Sequence, residues 1–189
     1  MDPIGHELIL GGAKSGKSRT AEERAAAWLA GAPRREALLL ATALAGDDEM
    51  AQRIARHRAA RAARVPALGT VEVAQDLAAA LRNHGAAHRL LVVDCLTLWL
   101  TQCLLPPLGP GLDETAWLAR EAELLAALAA GPGPVVLVSN EIGLGLLPMS
   151  REARRCVDAL GLLHQRVAAV CRRVTLMVAG QPLTVKEQR

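Results

Sequence analysis

The sequence predicts an α/β protein with a mostly parallel central sheet flanked by helices. Short apolar runs alternate with longer segments of helical periodicity, and a glycine-rich turn joins the first run to the first helix. The runs are almost continuously apolar, as strands covered on both faces require. At 189 residues, 51% of them hydrophobic, the chain can bury a sizeable core, and we expect a single domain over residues 1–189.

Apolar runs and helical periodicities define the elements in chain order. The predicted strands are Leu8–Leu10, Ala37–Ala41, Leu90–Val93, Val135–Ser139 and Val174–Ala179. Helices are predicted over Lys17–Ala30 and Asp113–Ala130, from Asp47 through Arg58, and near the C-terminus. In this last helix the apolar residues recur every three or four positions, at Val157, Leu160, Leu163, Val167 and Val170.

Composition excludes several classes of protein. Three Trp, with no Phe or Tyr, cannot build a stacking surface for single-stranded nucleic acid. A net charge of +3 does not indicate a surface that binds polyanions such as nucleic acids. Four widely spaced cysteines form no Cys-x-x-Cys pair, so we expect reduced thiols and a cytoplasmic protein. Polar residues interrupt the longest apolar stretch, Leu90–Leu105, so no membrane span is expected.

The glycine-rich turn matches the G-x-x-x-x-G-K-[ST] pattern of a phosphate-binding loop. It consists of Gly11, Gly12, Ala13, Lys14, Ser15, Gly16, Lys17 and Ser18. The glycines let successive backbone N–H groups face nucleotide phosphates, Lys17 adds a positive charge, and the Ser18 hydroxyl is a ligand for Mg²⁺. A chance match is disfavoured because the turn follows a strand and opens a helix.

Carboxylates follow two other predicted strands. Asp94 ends the run from Leu90 to Val93, where it suits either a second magnesium ligand or a helix N-cap. Because a phosphate loop is present, we favour the metal role. Ser139, Asn140 and Glu141 end another strand, and we expect their polar groups to face the nucleotide as well.

One helix surrounds a histidine with arginines. Arg53, Arg56, Arg58, Arg61 and Arg64 flank His57 with no acidic residue among them. Such a cluster would hold a triphosphate and keep the imidazole neutral and nucleophilic. A solvated basic helix is the commoner explanation of this pattern, and the residues alone leave both open.

Motifs along nearly the whole chain resemble one known family. Besides the phosphate loop they are Ala41-Thr42, Asp48-Glu49-Met50, Arg53-Ile54, His57-Arg58, Thr70-Val71-Glu72, Asp94-Cys95-Leu96-Thr97, the stretch from Val138 to Gly145 with Pro148, and residues 180–186. In this order they resemble the bifunctional adenosylcobinamide kinase / adenosylcobinamide-phosphate guanylyltransferase of cobalamin biosynthesis. The Asn-Glu-x-Gly-x-Gly stretch and the Arg-Ile-x-x-His spacing are more specific than the phosphate loop.

The resemblance implies two reactions. The family phosphorylates adenosylcobinamide with ATP or GTP, and then transfers GMP from GTP to that phosphate, which yields adenosylcobinamide-GDP and pyrophosphate. The transfer passes through a GMP–histidine intermediate, and His57 is the matching position. The family fold is that of the RecA-like P-loop NTPases, and its members are homotrimers.

The resemblance also implies site residues. The catalytic residues would be His57, Lys17 and Asp94, and Ser18 and Asp94 would bind Mg²⁺. The nucleotide-binding residues would be the phosphate loop with Leu40, Ala41, Thr42, Arg58, Arg61, Glu72 and Asp94. We expect Glu72 to contact base or ribose, and the segment with Ser150 and His164 to frame the corrinoid pocket or a subunit contact.

Two alternative functions are distinguishable by experiment. In a monofunctional P-loop small-molecule kinase, His57 would never bond to GMP. A non-enzymatic nucleotide-switch module would use the phosphate loop without phosphorylating adenosylcobinamide.

Overall fold

The computed structural model describes residues 5–43, 48–146 and 148–188, apart from the side chains of Glu49, Met50 and Arg53. In this part of the chain the strands are β1 (Glu7–Gly11), β2 (Glu36–Ala41), β3 (Leu68–Glu72), β4 (Arg89–Asp94), β5 (Val135–Asn140), β6 (Arg173–Val178) and β7 (Gln181–Glu187). The helices are α1 (Lys17–Ala30), α2 (Asp48–Arg64), α3 (Leu77–His84), α4 (Leu96–Leu104), α5 (Glu114–Ala130) and α6 (Arg151–Val170).

The strands form one sheet in the order β3-β2-β4-β5-β1-β6-β7. Strands β1 to β6 are parallel to their neighbours, and only β7 runs antiparallel, beside β6 at the sheet edge. A two-residue turn at Ala179 and Gly180, both with positive φ, makes this hairpin possible. The expected mostly parallel sheet is therefore confirmed.

Helices cover the sheet on both faces because successive strand residues point to opposite sides. On one face Ile9, Val92 and Val136 belong to a core with Ala25 and Trp28 of α1. The other face packs against α3, α4, α5 and α6, and its buried side chains include Leu8, Leu91, Leu137, Leu77, Trp99, Leu124 and Leu160. The two cores fix the strands, and thereby the loops at their carboxyl ends.

The five predicted strands are present, and most extend by a polar residue at an end. Asp47, the predicted start of the basic helix, lies outside the described residues, and the described helix begins at Asp48. Strands β3 and β7 and helix α3 were not predicted. Strand β7 is largely exposed and β3 is only partly buried. Neither sequence therefore contains the continuous apolar run by which the other strands were recognised.

The four cysteines are free thiols buried in the core. Burial raises the pKa of Cys95 and Cys103 to about 11 and that of Cys171 to about 12. Such thiols pack as small apolar groups and are poor nucleophiles. None of the described helices is both long enough and apolar enough to cross a membrane.

Leu137 of β5 tests the core packing. It is fully buried, and Leu137→Ala removes several methyl groups from a close-packed layer, so we expect a loss of about 2–5 kcal/mol in the free energy of unfolding. Chemical denaturation measures this loss. Leu108→Ala is the control, because Leu108 is 89% exposed and its truncation should change stability by less than about 0.5 kcal/mol. Equal effects of the two substitutions would contradict the packing described.

Candidate functional site

The carboxyl ends of β1, β4 and β5 bring the predicted site residues to one edge of the sheet. Gly11 at the end of β1 is in register with Asn140 of β5, and Asp94 at the end of β4 is in register with Val138 of β5. Strand β5 therefore separates the start of the phosphate loop, Gly11–Ser18, from Asp94. Ligands of open α/β sheets bind at this edge.

The phosphate loop has backbone geometry that favours glycine. Gly11 has φ 151°, and a Cβ there would lie 2.6 Å from the carbonyl oxygen of Met177. Gly16, at the N-cap of α1, has φ 104°. The loop thus curls around the N-terminus of α1, which presents unpaired N–H groups and the positive end of the helix dipole to an anion.

Side chains of the loop point into it. Lys17 is buried, and its Nζ donates a 2.6 Å hydrogen bond to the carbonyl oxygen of Gly12. The hydroxyl of Ser15 is also buried and has no hydrogen-bond partner among the residues that the structure describes. A buried hydroxyl of this kind costs free energy unless water or a ligand satisfies it, which suits a loop that binds phosphate.

Asp94 lies directly against the phosphate loop. The Ser18 hydroxyl donates a 2.8 Å hydrogen bond to Asp94 Oδ2. The Asp94 backbone is held by Thr42, whose N–H donates to the Asp94 carbonyl at 3.0 Å. The Thr42 hydroxyl both donates to the carbonyl of Cys95 and accepts from its N–H, at 2.7 Å each. The structure therefore brings Ser18 and Asp94 together as one pair of oxygen donors.

The β2 residues named as nucleotide-binding are less accessible. Leu40 and Thr42 are fully buried, Leu40 in the apolar core and Thr42 with its hydroxyl committed to Cys95. The side chains of Leu40 and Thr42 are therefore closed to direct contact with a ligand. Ala41 is partly exposed beside them.

Ion pairs attach the C-terminal half of helix α2 to helix α1 and to strand β3. Arg64 contacts Glu22 of α1 at 2.6 Å, and Arg58 pairs with Glu72 of β3. Arg61 is buried and donates to Thr70 Oγ1 at 3.4 Å. Burial lowers the pKa of Arg61, while the nearby carboxylates of Glu22 and Asp94 act in the opposite direction. The charge of Arg61 on α2 therefore interacts with the charge of Asp94 at the phosphate-loop edge.

Helix α2 and strand β3 enclose an open cavity of about 600 Å³, called here the α2–β3 cavity. It is lined by Arg58, Arg61, Ala62, Pro66, Leu68, Thr70 and Glu72. Its volume lies in the range of small-molecule sites. Three residues predicted to bind nucleotide, Arg58, Arg61 and Glu72, therefore meet in one place.

His57 is exposed on α2, one helical turn before Arg61. Residues four apart lie on the same helix face, so His57 and Arg61 share a side of α2, but His57 is not part of the lining of the α2–β3 cavity. The side chain of Arg53 lies outside the description, while Arg56 and Arg58 are exposed. The described residues thus place His57 beside three arginines, Arg56, Arg58 and Arg61.

Of the polar residues at the end of β5 that were expected to face the nucleotide, Ser139 does not. Ser139 is fully buried and contacts Thr97 Oγ1 at 3.1 Å and His164 Nε2 at 2.7 Å. It faces α4 and α6, away from the phosphate loop. Glu141 does lie next to the loop, because its N–H donates to the carbonyl of Gly11 at 3.0 Å.

His164 was not predicted as a site residue, yet it is buried beside Glu141. Its Nδ1 is 3.7 Å from Glu141 Oε2. Burial lowers the pKa of His164, and the opposing effect of Glu141 is smaller. A polar residue directly after Leu163, within an apolar stripe, was the only signal in the sequence. Ser150, from the same predicted segment, caps α6 by accepting from the N–H of Ala153.

Both the sequence and the fold of the chain are similar to those of known proteins. A family model described as cobinamide kinase / cobinamide phosphate guanyltransferase matches residues 7–185. The chain is 50% identical over 182 residues to the bifunctional adenosylcobalamin biosynthesis protein CobP of Pseudomonas aeruginosa, covering 95% of this chain and 96% of that protein. It is 36% identical over 188 residues to the bifunctional adenosylcobalamin biosynthesis protein CobU of Salmonella typhimurium, covering 95% and 98%.

The fold is similar to two solved structures of low sequence identity. The flagellar accessory protein FlaH from Methanocaldococcus jannaschii has a TM-score of 0.52 at 14% identity, covering 98% of this chain and 80% of that one. A protein of Pyrococcus horikoshii OT3 has a TM-score of 0.55 at 8% identity, covering 100% and 89%. At such identities the likeness concerns the fold alone, and it agrees with the predicted α/β architecture of a mostly parallel sheet flanked by helices.

His164 makes the stability of the protein depend on pH. Because burial lowers its folded-state pKa below the ordinary value of about 6.5, the unfolded chain binds a proton more readily as pH falls. The stabilisation from the neutral imidazole is therefore complete above about pH 6.5 and is lost as pH falls through the folded-state pKa. Denaturant unfolding measured on both sides of this window should show a smaller loss in His164→Gln than in the parent. Identical losses would contradict the burial of a neutral His164.

Proposed function

The chain belongs to the cobinamide kinase / cobinamide phosphate guanyltransferase family, and from this premise we propose which residues carry out each of its two reactions. The protein is a bifunctional enzyme of adenosylcobalamin biosynthesis. One activity phosphorylates cobinamide, and the other transfers a guanylyl group to cobinamide phosphate. ATP or GTP donates the phosphoryl group, GTP donates the guanylyl group, and the corrinoid substrates carry the adenosyl ligand.

The observation that carries the kinase proposal is the hydrogen bond between Ser18 and Asp94 at the phosphate loop. A hydroxyl and a carboxylate are hard oxygen donors of the kind that Mg²⁺ prefers, and their 2.8 Å separation puts both within reach of one ion. These residues fit Mg²⁺. When bound there, the ion neutralises charge on the β- and γ-phosphates.

In the kinase reaction the protein mainly positions the reacting groups and neutralises their negative charge. The N–H groups of the phosphate loop and the N-terminus of α1 hold the β- and γ-phosphates, and Lys17 exchanges its contact with the Gly12 carbonyl for a phosphate oxygen. The acceptor hydroxyl then attacks the γ-phosphorus as the bond to the bridging oxygen breaks. Lys17 stabilises the charge that develops on the departing diphosphate.

In the guanylyltransferase reaction His57 is the nucleophile. Its imidazole nitrogen attacks the α-phosphorus of GTP, an N–P bond forms, and pyrophosphate leaves. An oxygen of cobinamide phosphate then attacks the same phosphorus, which breaks the N–P bond and regenerates His57. Imidazole attacks and leaves phosphorus readily, so one transfer is divided into two easier ones.

The α2–β3 cavity supports this second role. Arg58 and Arg61 bring positive charge to a space large enough for a nucleotide, one helical turn from His57. Glu72, which lines the cavity and pairs with Arg58, is the residue we propose to accept hydrogen bonds from guanine N1–H and N2–H₂. A movement of α2, or contact with a neighbouring subunit of a homotrimer, would bring the exposed His57 over the bound GTP. We further propose that residues 1–189 act as one domain, in the cytoplasm.

Asp94→Asn tests the magnesium role. The amide oxygen still accepts from Ser18, so the fold is retained, but the negative charge is lost. We expect phosphoryl transfer to adenosylcobinamide to fall on the order of 10- to 100-fold and to need more Mg²⁺. Initial rates over a Mg²⁺ titration measure both effects. Asp113→Asn, at the N-cap of α5 where Asn caps as well as Asp, should behave as the parent.

His57→Ala tests the covalent step. Incubation with GTP and Mg²⁺ should add one guanylyl group to the parent, detected by intact mass, with the acid lability of an N–P bond. The His57→Ala variant should remain unmodified and still phosphorylate adenosylcobinamide. His88→Ala, which removes another exposed histidine, should be labelled normally. If the parent phosphorylates adenosylcobinamide but is never labelled, His57 is not the nucleophile.

A further inference from the structure

Four polar side chains form a continuous chain behind the phosphate loop, called here the β5 relay. It consists of Thr97, Ser139, His164 and Glu141. Thr97 Oγ1 and Ser139 Oγ are 3.1 Å apart, and Ser139 Oγ and His164 Nε2 are 2.7 Å apart. His164 Nδ1 lies 3.7 Å from Glu141 Oε2. Ser139 and His164 are buried, so these contacts are shielded from competition by water.

The hydrogen-bond directions follow from the ends of the β5 relay. The backbone N–H of Asn140 donates to Thr97 Oγ1 at 2.8 Å, and the Thr97 hydroxyl hydrogen is available to donate to Ser139. Ser139 then donates to His164 Nε2, and a neutral imidazole carries its proton on Nδ1, facing the carboxylate of Glu141. The opposite arrangement would point a nitrogen lone pair at a carboxylate oxygen, which electrostatics disfavours.

Glu141 occupies the reacting edge of the sheet. It follows β5, the strand between the phosphate-loop strand β1 and the Asp94 strand β4. Its backbone N–H is bonded to the carbonyl of Gly11, where the phosphate loop begins. Its side chain is held from two sides, since Oε1 accepts from the N–H of Gly143 at 2.7 Å and Oε2 faces His164. It is nevertheless 22% exposed, so a substrate can reach it.

We propose that Glu141 is the base for the kinase reaction, and that His164, aligned by Ser139, is its positioning residue. This rests on the phosphate-loop kinase site proposed above. The acceptor hydroxyl transfers its proton to the Glu141 carboxylate while its oxygen forms a bond to the γ-phosphorus. The bond from the γ-phosphorus to the bridging oxygen breaks, and its electron pair leaves with the nucleoside diphosphate. Glu141 then releases the proton to solvent through its exposed side.

The guanylyl transfer activity of Glu141 variants distinguishes a role as kinase base from a structural role. A phosphate monoester attacks the GMP–histidine bond with an oxygen that is already largely ionised near neutral pH, so that step needs no base at Glu141. Adenosylcobinamide phosphate supplied as substrate bypasses the kinase step altogether. A variant that lacks only the base loses kinase activity and retains both labelling of the protein by GTP and guanylyl transfer to the supplied phosphate.

Glu141→Gln is the first test, with Glu123→Gln on the exposed face of α5 as the matched control. We expect kcat for phosphorylation of adenosylcobinamide to fall by about 10²- to 10⁴-fold, the usual contribution of a general base, with KM for the nucleotide little changed. GTP labelling and guanylyl transfer should stay within about twofold of the parent in both variants. Kinase activity retained in Glu141→Gln, or an equal fall of both activities, would overturn the proposal.

His164 variants test the positioning role. In His164→Gln the amide oxygen accepts from Ser139 and the amide N–H faces Glu141, whereas His164→Phe removes both contacts. We expect His164→Phe to lower the kinase kcat on the order of tenfold and His164→Gln to recover most of it, with GTP labelling intact in both. Equal kinase rates in the two variants would contradict the positioning role. A parent protein that fails to phosphorylate adenosylcobinamide would refute the proposed kinase function instead.

Discussion

The position of β5 between β1 and β4 is the constraint on which the site depends. Parallel strands lie about 4.8 Å apart, so the end of β1 and the end of β4 are separated by about twice that distance. Ser18 spans this gap because the phosphate loop carries the chain forward into α1, whose first turn reaches Asp94. The end of β5 then fills the space beneath, and its register with both neighbours places Glu141 between the loop and the Asp94 strand.

Charge balance connects this edge with helix α2. The phosphate-loop edge carries Lys17 and Asp94, and the α2–β3 cavity carries Arg58, Arg61 and Glu72. Arg61 belongs to both, because its guanidinium contacts Thr70 in the cavity and interacts with the charge of Asp94. Its burial is tolerable only with such partners, since an unpaired buried charge is strongly unfavourable. An anion entering either region therefore changes the electrostatic environment of the other.

The sequence predicted the framework well where one physical signal dominated. Helix α1 begins at Lys17 and ends at Ala30 as predicted, since a phosphate loop fixes its start and Gly31 and Pro33 follow its end. Within the apolar run Leu90–Leu105 the end of β4 was recognisable, because Asp94 interrupts the run where the strand ends. Strand β3 was missed because Gly69 and Thr70 interrupt its apolar pattern at the sheet edge.

The candidate site was predictable only where it is encoded locally. The phosphate loop and its glycines are contiguous, and Asp94 ends a recognisable strand, so their roles could be proposed from the sequence. The contact of His164 with Ser139 and Glu141 joins residues about 25 positions apart, and it depends on how α6 rotates against β5. Periodicity placed His164 next to a buried stripe, but no sequence signal indicated which polar group it would meet.

The two reactions differ in whether the nucleophile must lose a proton, and we propose that different parts of the chain serve them. An alcohol is a weak nucleophile until its proton is removed, so the kinase step benefits from a carboxylate held rigidly at a strand end, as Glu141 is. Imidazole and an ionised phosphate attack phosphorus through free lone pairs, so the guanylyl step needs positive charge more than a base. In the mechanism we propose, the arginines near His57 on the exposed helix α2 supply that charge. A rigid strand end would then serve proton transfer, and a surface helix would carry the nucleophile that must reach its substrate.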